Sequence, residues 1–535
     1  MHQEKPDDKY LPYPDKEVKT SPTRNIKSTA IFTTQVNVYT NGENIIGDAA
    51  NEPSIAVDPL HPNRILIGWR QFDNVNSNFR QAGYAYSSDS GQTWTFPGVF
   101  EPGVFRSDPV LDSDSLGNFY YNSLTLNEFT GQYLCKVFKS TNGGSAWNAG
   151  VDAHGGDKQW MTIDKSSGIG KGNIYSFWTS YYSSCYPEYF TRSIDGGESF
   201  EDCVMVNGNP FWGTMAVGPN GELYIAGSAY NNGIVVAKST SAQVPGSAIN
   251  WDFSTIVNMN GYITGQFPIN PVGILGQAYI DVDCSNGPGR GNVYLLASMV
   301  PIFNNDSADV MFARSTDGGV TWSEPVRIND DPGTERFQWF GTMSVAPDGR
   351  IDAAWLDTRD APPGSHLSAL YYSYSTDQGI TWSANEKLSD LFDPHIGYPQ
   401  QAKMGDYFDM VSDETGAHLA WANTFNGEED VYYSYIIPDI TGINDKNGSR
   451  ESISLTNYPN PFRDQTKISY KIPSGVIVRI DICNIYGEIT RTLVNKYQKA
   501  GSYDLDFSDA NFPAGFYLCR LSAGALKKTT RLVKL

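Results

Sequence analysis

The 535-residue sequence lacks any apolar run that approaches the roughly 20 residues needed to cross a bilayer, so no membrane-spanning segment is expected. It also lacks the long stretches rich in Ala, Leu, Glu and Lys that are typical of helical proteins. Basic residues are few: 39 Lys and Arg face 59 Asp and Glu, for a formal net charge of −20. This charge repels a phosphate backbone and excludes nucleic acid as a partner of the whole chain, although a local basic pocket is compatible with it.

Cysteine is also scarce, because six residues in a chain of this length do not make a disulfide scaffold. No spacing of Cys and His indicates a zinc site. Cys185 and Cys203 flank a repeated motif and are either bridged or free. Cys483 and Cys519 lie on two apolar runs near the C-terminus and are either bridged or simply buried.

The sequence is rich in glycine, proline and aromatic residues, which predicts many short strands joined by tight turns. One turn motif recurs: "STDGGVTW" at 315–322 has variants that begin at Ser87, Ser140, Ser193 and Ser375. In this motif Asp317 can accept hydrogen bonds from its own turn, Gly319 permits a positive φ, and Trp322 can pack between sheets. The motif is therefore predicted to be structural and not catalytic.

A second pattern precedes each motif, in which an apolar alternating run, a polar turn and another apolar run form a hairpin. Seven such units lie between residues 52 and 421, and each reads as a hairpin followed by a third and a fourth strand. Seven four-stranded sheets arranged radially make a β-propeller. The seventh unit lacks a fourth strand, and we expect the segment "AIFTTQVNVYT" (30–40) to supply it and close the ring.

The S-x-D-x-G-x-x-W pattern resembles the Asp-box, or bacterial neuraminidase repeat, of sialidase-like propellers, and this resemblance covers residues 30–437. The repeats predict seven blades, whereas the resemblance makes six the alternative. Propellers of this kind occur in glycan-active enzymes and in non-enzymatic proteins. The predicted organisation is a flexible N-terminal segment (1–28), the propeller (29–437), a linker (438–454) and a small C-terminal domain (455–535).

The C-terminal strings "NYPNPF", "ICNIYG", "PAGFYLCRL" and "KKTTRLVKL" resemble the sorting domain recognised by the type IX secretion system. Their alternating strands predict a small immunoglobulin-like β-sandwich. The resemblance implies that the secretion machinery is a partner and that the protein is secreted or attached to the cell surface. The alternative is a generic sandwich used for carbohydrate binding.

Ligands of such propellers usually bind on the axis, where the innermost strands begin, and acids, arginines and aromatics converge there in this sequence. The sialidase resemblance implies an anionic sugar gripped by arginines, with Tyr as nucleophile, an Asp as acid/base and aromatic rings facing the sugar. We assign the catalytic roles to Asp108 or Asp157 (acid/base), Tyr407 (nucleophile) and Glu52 (its helper). The predicted substrate-binding residues are Arg70, Arg336, Arg359, Trp160 and Trp339.

Each candidate has a structural alternative: Arg359 can pair with Asp357 or Asp360, and acids near the axis can cap backbone N–H groups. No cofactor is expected, although "DSDSLG" (112–117) and "DVDCSNG" (281–287) loosely resemble calcium loops and are otherwise plain turns. The leading hypothesis is a secreted sialidase-like (exo-α-sialidase-type) glycoside hydrolase. The alternatives are another hydrolase or polysaccharide lyase, and a non-catalytic propeller that binds glycans or proteins.

Overall fold

The computed structural model describes residues 8–10, 18–28, 30–127, 129–230, 232–302, 306–333, 335–439, 454–472, 475–484, 488–508, 512–523 and 526–535. Contacts divide the chain into two units, Met1–Ile26 with Thr33–Tyr435 and Lys27–Phe32 with Ile436–Leu535. The regular secondary structure of the described residues consists of β-strands and one 3-10 turn, Ser180–Tyr182, which confirms the all-β prediction. None of the helical structure described is long and apolar enough to span a membrane.

Seven antiparallel sheets follow one another between Ala49 and Ile436 in the described residues. The first consists of β5 (Ala49–Val57), β6 (Ile65–Phe72), β7 (Gln81–Ser87) and β8 (Val99–Phe100). The second consists of β9 (Ser107–Ser113), β10 (Phe119–Leu126), β11 (Tyr133–Ser140) and β12 (Val151–Asp152). The third consists of β13 (Trp160–Ile163), β14 (Ile174–Phe177) and β15 (Phe190–Ser193). The fourth consists of β16 (Met215–Val217), β17 (Leu223–Ser228), β18 (Ile234–Ser239) and β19 (Phe253–Val257).

The remaining sheets continue this pattern. The fifth consists of β20 (Gly261–Tyr262), β21 (Tyr279–Val282), β22 (Val293–Pro301), β23 (Asp309–Ser315) and β24 (Val326–Arg327). The sixth consists of β25 (Gln338–Val345), β26 (Ile351–Asp357), β27 (Ala369–Ser375) and β28 (Glu386–Lys387). The seventh combines β29 (Asp409–Ser412), β30 (Ala417–Asn423) and β31 (Asp430–Ile436) with β2 (Ile26–Lys27) and β3 (Ile31–Gln35). A separate pair joins β1 (Thr20–Ser21) to β4 (Asn44–Ile45).

The first strands of the sheets form a ring, because β5 contacts β9 and successive contacts pass through β13, β16, β21 and β25 to β29, which contacts β5. Each of these strands has a free inner edge, and side chains of the neighbouring sheet satisfy part of its backbone N–H groups. Asp409 Oδ2 accepts a hydrogen bond from Ile55 N at 3.0 Å, for example. Similar bonds run from Leu111 N to Ser54 Oγ, Ile163 N to Asp112 Oδ2, Ile280 N to Thr214 Oγ1, Val345 N to Asp281 Oδ2 and Ser412 N to Ser344 Oγ. The fold is therefore a β-propeller, as predicted.

The N-terminal strand completes the seventh sheet, which confirms the predicted closure. In that sheet β3 lies beside β31, on the outer side of the last hairpin. Beyond β3, Val36 N donates to Val431 O at 2.9 Å and Asn37 Nδ2 donates to Asp430 Oδ1 at 2.8 Å. These bonds join segments almost 400 residues apart in sequence, so the ring is closed by backbone pairing as well as by packing.

The recurrent turn has the geometry that its sequence predicts. The Asp317 carboxylate accepts hydrogen bonds from Thr321 N (2.9 Å), Thr321 Oγ1 (2.6 Å) and Ser315 Oγ (2.7 Å). These bonds lower the pKa of Asp317 to about 2. Gly319 has φ +92°, a conformation that favours glycine, and its carbonyl accepts a bond from Trp322 Nε1 at 3.1 Å. The motif is thus a structural turn, and the Asp317 carboxylate is used within it.

The third sheet departs from the predicted four strands. After its Asp-box the chain makes only an isolated bridge between Phe190 and Val204, and Cys185 and Cys203 form a disulfide beside it. The possible bridge between Cys483 and Cys519 is absent, since both are free, buried thiols. Of the N-terminal segment predicted to be flexible, residues 18–28 contain β1 and β2, while 1–7 and 11–17 lie outside the described residues. Residues 440–453 of the predicted linker also lie outside them.

The C-terminal unit contains two antiparallel sheets, ordered β32-β33-β36 and β35-β34-β37-β38. Buried residues of both sheets form its core, among them Ile468, Ile480 and Leu521. The strands are β32 (Ser454–Tyr458), β33 (Gln465–Ile472), β34 (Val476–Asn484), β35 (Ile489–Gln498), β36 (Gly501–Ser508), β37 (Gly515–Ala523) and β38 (Leu526–Lys534). Buried and more exposed side chains alternate along β33, in agreement with the alternation predicted for the C-terminal strands.

Candidate functional site

A buried group of charged residues lies where the innermost strands begin, at the end of the axis where the sequence predicts a pocket. We call it the axial cluster: Glu52, Arg70, Lys158, Lys403 and Asp406. A bulge between Asn51 and Ser54 on β5 gives Glu52 a φ of +49° and sets it beside Arg70 on β6. Lys158 lies two residues before β13, and the loop that leads to β29 supplies Lys403 and Asp406.

Ion pairs connect all five members of the axial cluster. Arg70 Nε lies 3.2 Å from Glu52 Oε2, and Lys403 Nζ lies 3.1 Å from Glu52 Oε1. Asp406 Oδ2 receives both lysines, at 2.6 Å from Lys403 Nζ and 2.5 Å from Lys158 Nζ. No side chain of the five is more than 4% exposed. The three cations face two carboxylates within the cluster, and the Asp108 carboxylate, which accepts a bond from Lys158 N, supplies a third negative charge beside it.

Burial and neighbouring charges act in opposite directions on these groups. Burial raises the pKa of Glu52 to about 7, although Arg70 and Lys403 counteract it. Burial also disfavours the charged form of Asp406, but Lys158 and Lys403 outweigh this and hold its pKa well below the ordinary value. Burial tends to lower the pKa of Lys158, and the surrounding carboxylates outweigh it so that the pKa is raised. Lys158 therefore stays charged inside the protein.

Of the four predicted catalytic residues, Glu52 belongs to the axial cluster, and Asp108, Tyr407 and Asp157 lie beside it. Asp108 Oδ2 accepts a bond from Lys158 N at 3.0 Å, and the Tyr407 hydroxyl donates to Pro109 O at 2.7 Å. Burial, followed by the charges of Glu52 and Asp108, raises the pKa of Tyr407 well above its usual value. Asp157 is the fourth: its carbonyl accepts a bond from Thr179 N, and its charge acts on Lys158. Glu52, Asp108 and Tyr407 are each at most 1% exposed, so a substrate could reach them only if the cluster opened.

The three arginines of the predicted clamp each bond to different partners. Arg70 belongs to the axial cluster, whereas Arg336 Nη1 donates to Ala361 O at 3.2 Å. Arg359 pairs with Asp330 at 2.6 Å and with Asp357 at 2.8 Å, and its guanidinium lies over the ring of Tyr371. This is the structural alternative weighed for Arg359, with Asp357 as one partner. Arg336 and Arg359 thus use their donors locally.

The two predicted tryptophans are both buried. Trp339 is fully buried, and its Nε1 donates to Ser368 Oγ at 3.2 Å, so its ring faces no solvent. Trp160 contacts the rings of Tyr407 and Tyr279, at centroid distances of 5.5 Å and 5.9 Å. Unlike Trp339, Trp160 also lines a cavity on the axis.

This axial cavity has a volume of about 470 Å³ and extends along the innermost strands to the turns that follow them. Each Asp-box follows the third strand of its sheet, and the third strand runs in the same direction as the first. The turns after the first strands therefore lie on the same face of the propeller as the Asp-boxes. The described cavity therefore opens at the opposite end of the axis from the axial cluster. Its lining includes Trp160, Thr162, Lys165, Ser166, Ser167, Thr214, Asp112, Asp281, Asp409, Arg290 and Ser412.

The carboxylates that line the axial cavity are engaged in holding neighbouring sheets together. Asp409 accepts bonds from Ser54 Oγ (2.6 Å), Ile55 N (3.0 Å) and Met410 N (2.9 Å), and burial raises its pKa to about 7. Asp281 accepts bonds from two backbone N–H groups, and burial raises its pKa to about 6. Asp112 likewise pairs with the Lys165 ammonium at 2.6 Å. These three acids therefore serve as structural acceptors and do not form a free acid/base pair.

The calcium-like sequences form ordinary turns in the structure. Asp283 Oδ1 accepts a bond from Ser285 N at 2.8 Å, and Asp114 Oδ1 accepts bonds from Leu116 N and Asn118 N at 2.9 Å. Structural calcium remains a prediction. Across the described residues, one group of metal-ligand types comes together, His154 with Cys185 and Cys203. Because the two sulfurs are joined in a disulfide, this group does not offer a metal three ligands.

Sequence reasoning missed Lys403, a member of the axial cluster, and Gln401, which contacts the cluster from the same loop. Gln401 Oε1 accepts a bond from Arg70 Nη1 at 2.7 Å. Both residues lie in the segment between β28 and β29, which belongs to no repeat and carries no periodic pattern. Its only signal is "QQAKMGD", where a lysine precedes an acid by three positions.

Two family models match parts of the chain. The model described as "Secretion system C-terminal sorting domain" matches residues 456–535, and "BNR/Asp-box repeat" matches residues 373–384. No curated protein matches the chain. These matches confirm both predicted resemblances, the Asp-box within the propeller and the sorting domain at the C-terminus.

Several solved structures are similar to this chain at low sequence identity. A protein of unknown function from Dyadobacter fermentans is 14% identical over 78% of this chain and 99% of its own, with a TM-score of 0.41. The phage phi92 endosialidase is 9% identical over 79% of this chain and 72% of its own, with a TM-score of 0.40. The GH93 α-L-arabinofuranosidase of Fusarium graminearum is 10% identical over 77% and 98%, with a TM-score of 0.27. Similarities this low support no argument about activity.

The two matched regions account for the two parts of the chain. Asp-box turns repeat through the propeller, and the sorting domain occupies the C-terminal sandwich. The protein is thus an Asp-box β-propeller with a type IX secretion sorting domain, exported and either secreted or attached to the cell surface.

Proposed function

We propose that this exported propeller is carbohydrate-active through recognition: it binds glycans in the axial cavity without cleaving them. The observation that carries the proposal is the cavity itself, about 470 Å³, which falls within the range of small-ligand sites. Hydroxyl groups of Thr162, Ser166 and Ser412 and the indole of Trp160 line it. Such groups suit sugar hydroxyls and the apolar face of a sugar ring.

The engaged carboxylates favour binding over hydrolysis at this cavity. Glycoside hydrolysis requires one carboxyl group that donates a proton and a second group that acts as base or nucleophile. Asp112, Asp281 and Asp409 instead accept bonds that hold the inner strands. Using any of them for catalysis would remove an acceptor from a buried N–H group, at a cost of about 1–3 kcal/mol.

The second candidate is exo-α-sialidase-type hydrolysis at the other end of the axis. One observation favours it: Glu52, Arg70, Asp108 and Tyr407 are brought together there, as the sialidase resemblance implies. The candidate requires the loop that carries Lys403 to move away, since Lys403 pairs with Glu52 and Asp406 and these groups are buried. It also requires Arg336 and Arg359 to exchange their present partners.

The two candidates are separated by measuring binding and cleavage with the same protein. Oligosaccharide binding is measured by calorimetry, and cleavage by fluorophore release from an aryl sialoside and a panel of other aryl glycosides. We expect binding without release. Ser167→Trp, which fills the cavity mouth, should abolish binding, while Ile169→Trp on the same exposed turn should not.

Release from the sialoside that Arg70→Ala abolishes would establish the second candidate instead. Binding that Ser167→Trp leaves intact would contradict the proposed cavity. A protein that neither binds nor cleaves any glycan in the panel would overturn both.

A further inference from the structure

Aromatic side chains that are exposed at Tyr181 and Tyr230 and half-buried at their neighbours lie on the propeller face opposite the Asp-boxes. Tyr181 is 60% exposed and Tyr230 is 72% exposed, although aromatic rings gain most when they are buried. Tyr181 follows the second strand of the third sheet, and Tyr230 follows the second strand of the fourth. Grouped exposed apolar surface on a soluble protein marks an interaction site.

Ring contacts extend this group over three neighbouring sheets. Tyr182 lies 4.9 Å from Tyr181 and 5.7 Å from Tyr133, measured between ring centroids. Phe211 lies 4.9 Å from Tyr230. We call these five side chains the tyrosine ridge. A hydrogen bond between Ser180 Oγ and Asn209 Oδ1, 2.9 Å long, connects the loops that carry its two halves.

The loop that presents Tyr181 and Tyr182 is held in place by several bonds. The disulfide between Cys185 and Cys203 fixes its far end. Trp178 is fully buried, and its Nε1 donates to Ser183 Oγ at 2.8 Å. Ser184 N donates to Gly155 O at 2.8 Å. A surface that is ordered before binding loses less conformational entropy when a ligand binds, so the ridge is built to bind without rearrangement.

The surroundings of the ridge define the charge of its ligand. The segments 127–135, 178–189, 207–213 and 228–233 contain no Lys or Arg, and their only charged residues are Glu128 and Glu188. A sugar carboxylate or sulfate placed here would meet no cation from these segments and would be repelled by the acidic chain. Uncharged sugar rings bury an apolar face against an aromatic ring and keep their hydroxyls in water. The ridge therefore suits an extended, uncharged glycan.

We propose that the tyrosine ridge is a second carbohydrate site, which takes an extended neutral polysaccharide whose successive rings stack on the tyrosine faces. The inference rests on the proposed function for its class of ligand but uses a surface on the other face from the axial cavity. The ridge holds a long chain on one face, while the cavity takes a short glycan on the other.

Affinity electrophoresis of the full chain tests the ridge, with gels that contain a soluble neutral glucan, xylan or galactomannan, and with polygalacturonate as the charged comparison. We expect retardation by at least one neutral polysaccharide and none by polygalacturonate. The pair Tyr181→Ala and Tyr230→Ala should weaken binding roughly tenfold, because two stacking contacts are lost. Tyr181→Phe with Tyr230→Phe keeps the rings and should bind like wild type.

Tyr497→Ala removes an exposed tyrosine of the C-terminal domain, 64% exposed, and should change nothing. Undiminished retardation of the double alanine variant, equal retardation by polygalacturonate, or no retardation by any neutral polysaccharide would overturn the ridge. Ser167→Trp keeps the two proposals distinct: it should abolish oligosaccharide binding in calorimetry and leave retardation by the polysaccharide unchanged. In the wild type, retardation without oligosaccharide binding would contradict the cavity alone, and oligosaccharide binding without retardation would contradict the ridge alone.

Discussion

The two ends of the propeller axis differ in how charged residues occupy the space between the innermost strands. At one end Glu52, Arg70, Lys158, Lys403 and Asp406 fill the axis with mutually paired charges. At the other end the axis stays open, and the acids that line it accept backbone bonds from neighbouring sheets. Charged residues near an axis therefore need not form a ligand site. The partners of each charge, and whether it reaches solvent, decide between a structural and a binding role.

The closed end should be far more sensitive to the loss of one charge than the open end. Lys403→Met leaves Glu52 and Asp406 with fewer buried partners, and we expect the free energy of unfolding to fall by about 3–5 kcal/mol. Lys165→Met at the open end removes a lysine whose side chain is 45% exposed, and we expect a loss of at most about 1 kcal/mol. Urea unfolding of both variants measures the difference. Equal losses would contradict the contrast between the two ends.

At the open end, Asp281→Asn should cost stability in a pH-dependent way. The substitution replaces an acceptor of two buried N–H groups, so we expect a loss of about 1–3 kcal/mol. Burial raises the pKa of Asp281 to about 6, above its unfolded value, so its stabilising contribution is complete at low pH and is lost as pH rises from about 4 to 7. The substitution should therefore cost more at pH 5 than at pH 7.5.

Urea unfolding of the wild type and of Asp281→Asn at both pH values provides this comparison. Asp390→Asn, an exposed carboxylate paired with Arg24, serves as the control and should show little change between the two pH values. A cost for Asp281→Asn that increases with pH would contradict the assignment.

Away from the axis, loss of an Asp-box carboxylate should have a smaller effect. Asp317→Ala removes hydrogen bonds to an exposed turn, and we expect a loss of about 1 kcal/mol in the free energy of unfolding. Because the turn lowers the pKa of Asp317 to about 2, its stabilising contribution is lost as pH falls from about 4 to 2. Glu324→Ala, a nearby exposed acid, is the matched control and should be close to neutral.

Unchanged glycan binding by Asp317→Ala would agree with a structural role for the motif. A loss of binding at unchanged stability would place the turn in the site and contradict that role.

The parts of the molecule that repeat could be predicted from sequence, because each copy obeys the same turn and strand chemistry. Asp317 and Gly319 behave as their residue types require, and the strand at Ile31–Gln35 closes the last sheet. The roles of Arg336 and Arg359 could not be derived, since a guanidinium near the axis bonds whichever acceptor is closest in three dimensions. Lys403 lies in a loop without periodicity, and the spacing of Lys403 and Asp406 in "QQAKMGD" does not indicate that the lysine fills the predicted pocket.

The central claim is that the axis is closed by the axial cluster and open at the Asp-box face. Brief acylation of native protein with an amine-reactive ester, followed by peptide mass spectrometry, measures this directly for each lysine. The account predicts rapid labelling of Lys165 and almost none of Lys158 and Lys403, which become reactive only in denaturant. Labelling of Lys403 in the native protein at the rate of Lys165 would show that the cluster is accessible and would contradict the account.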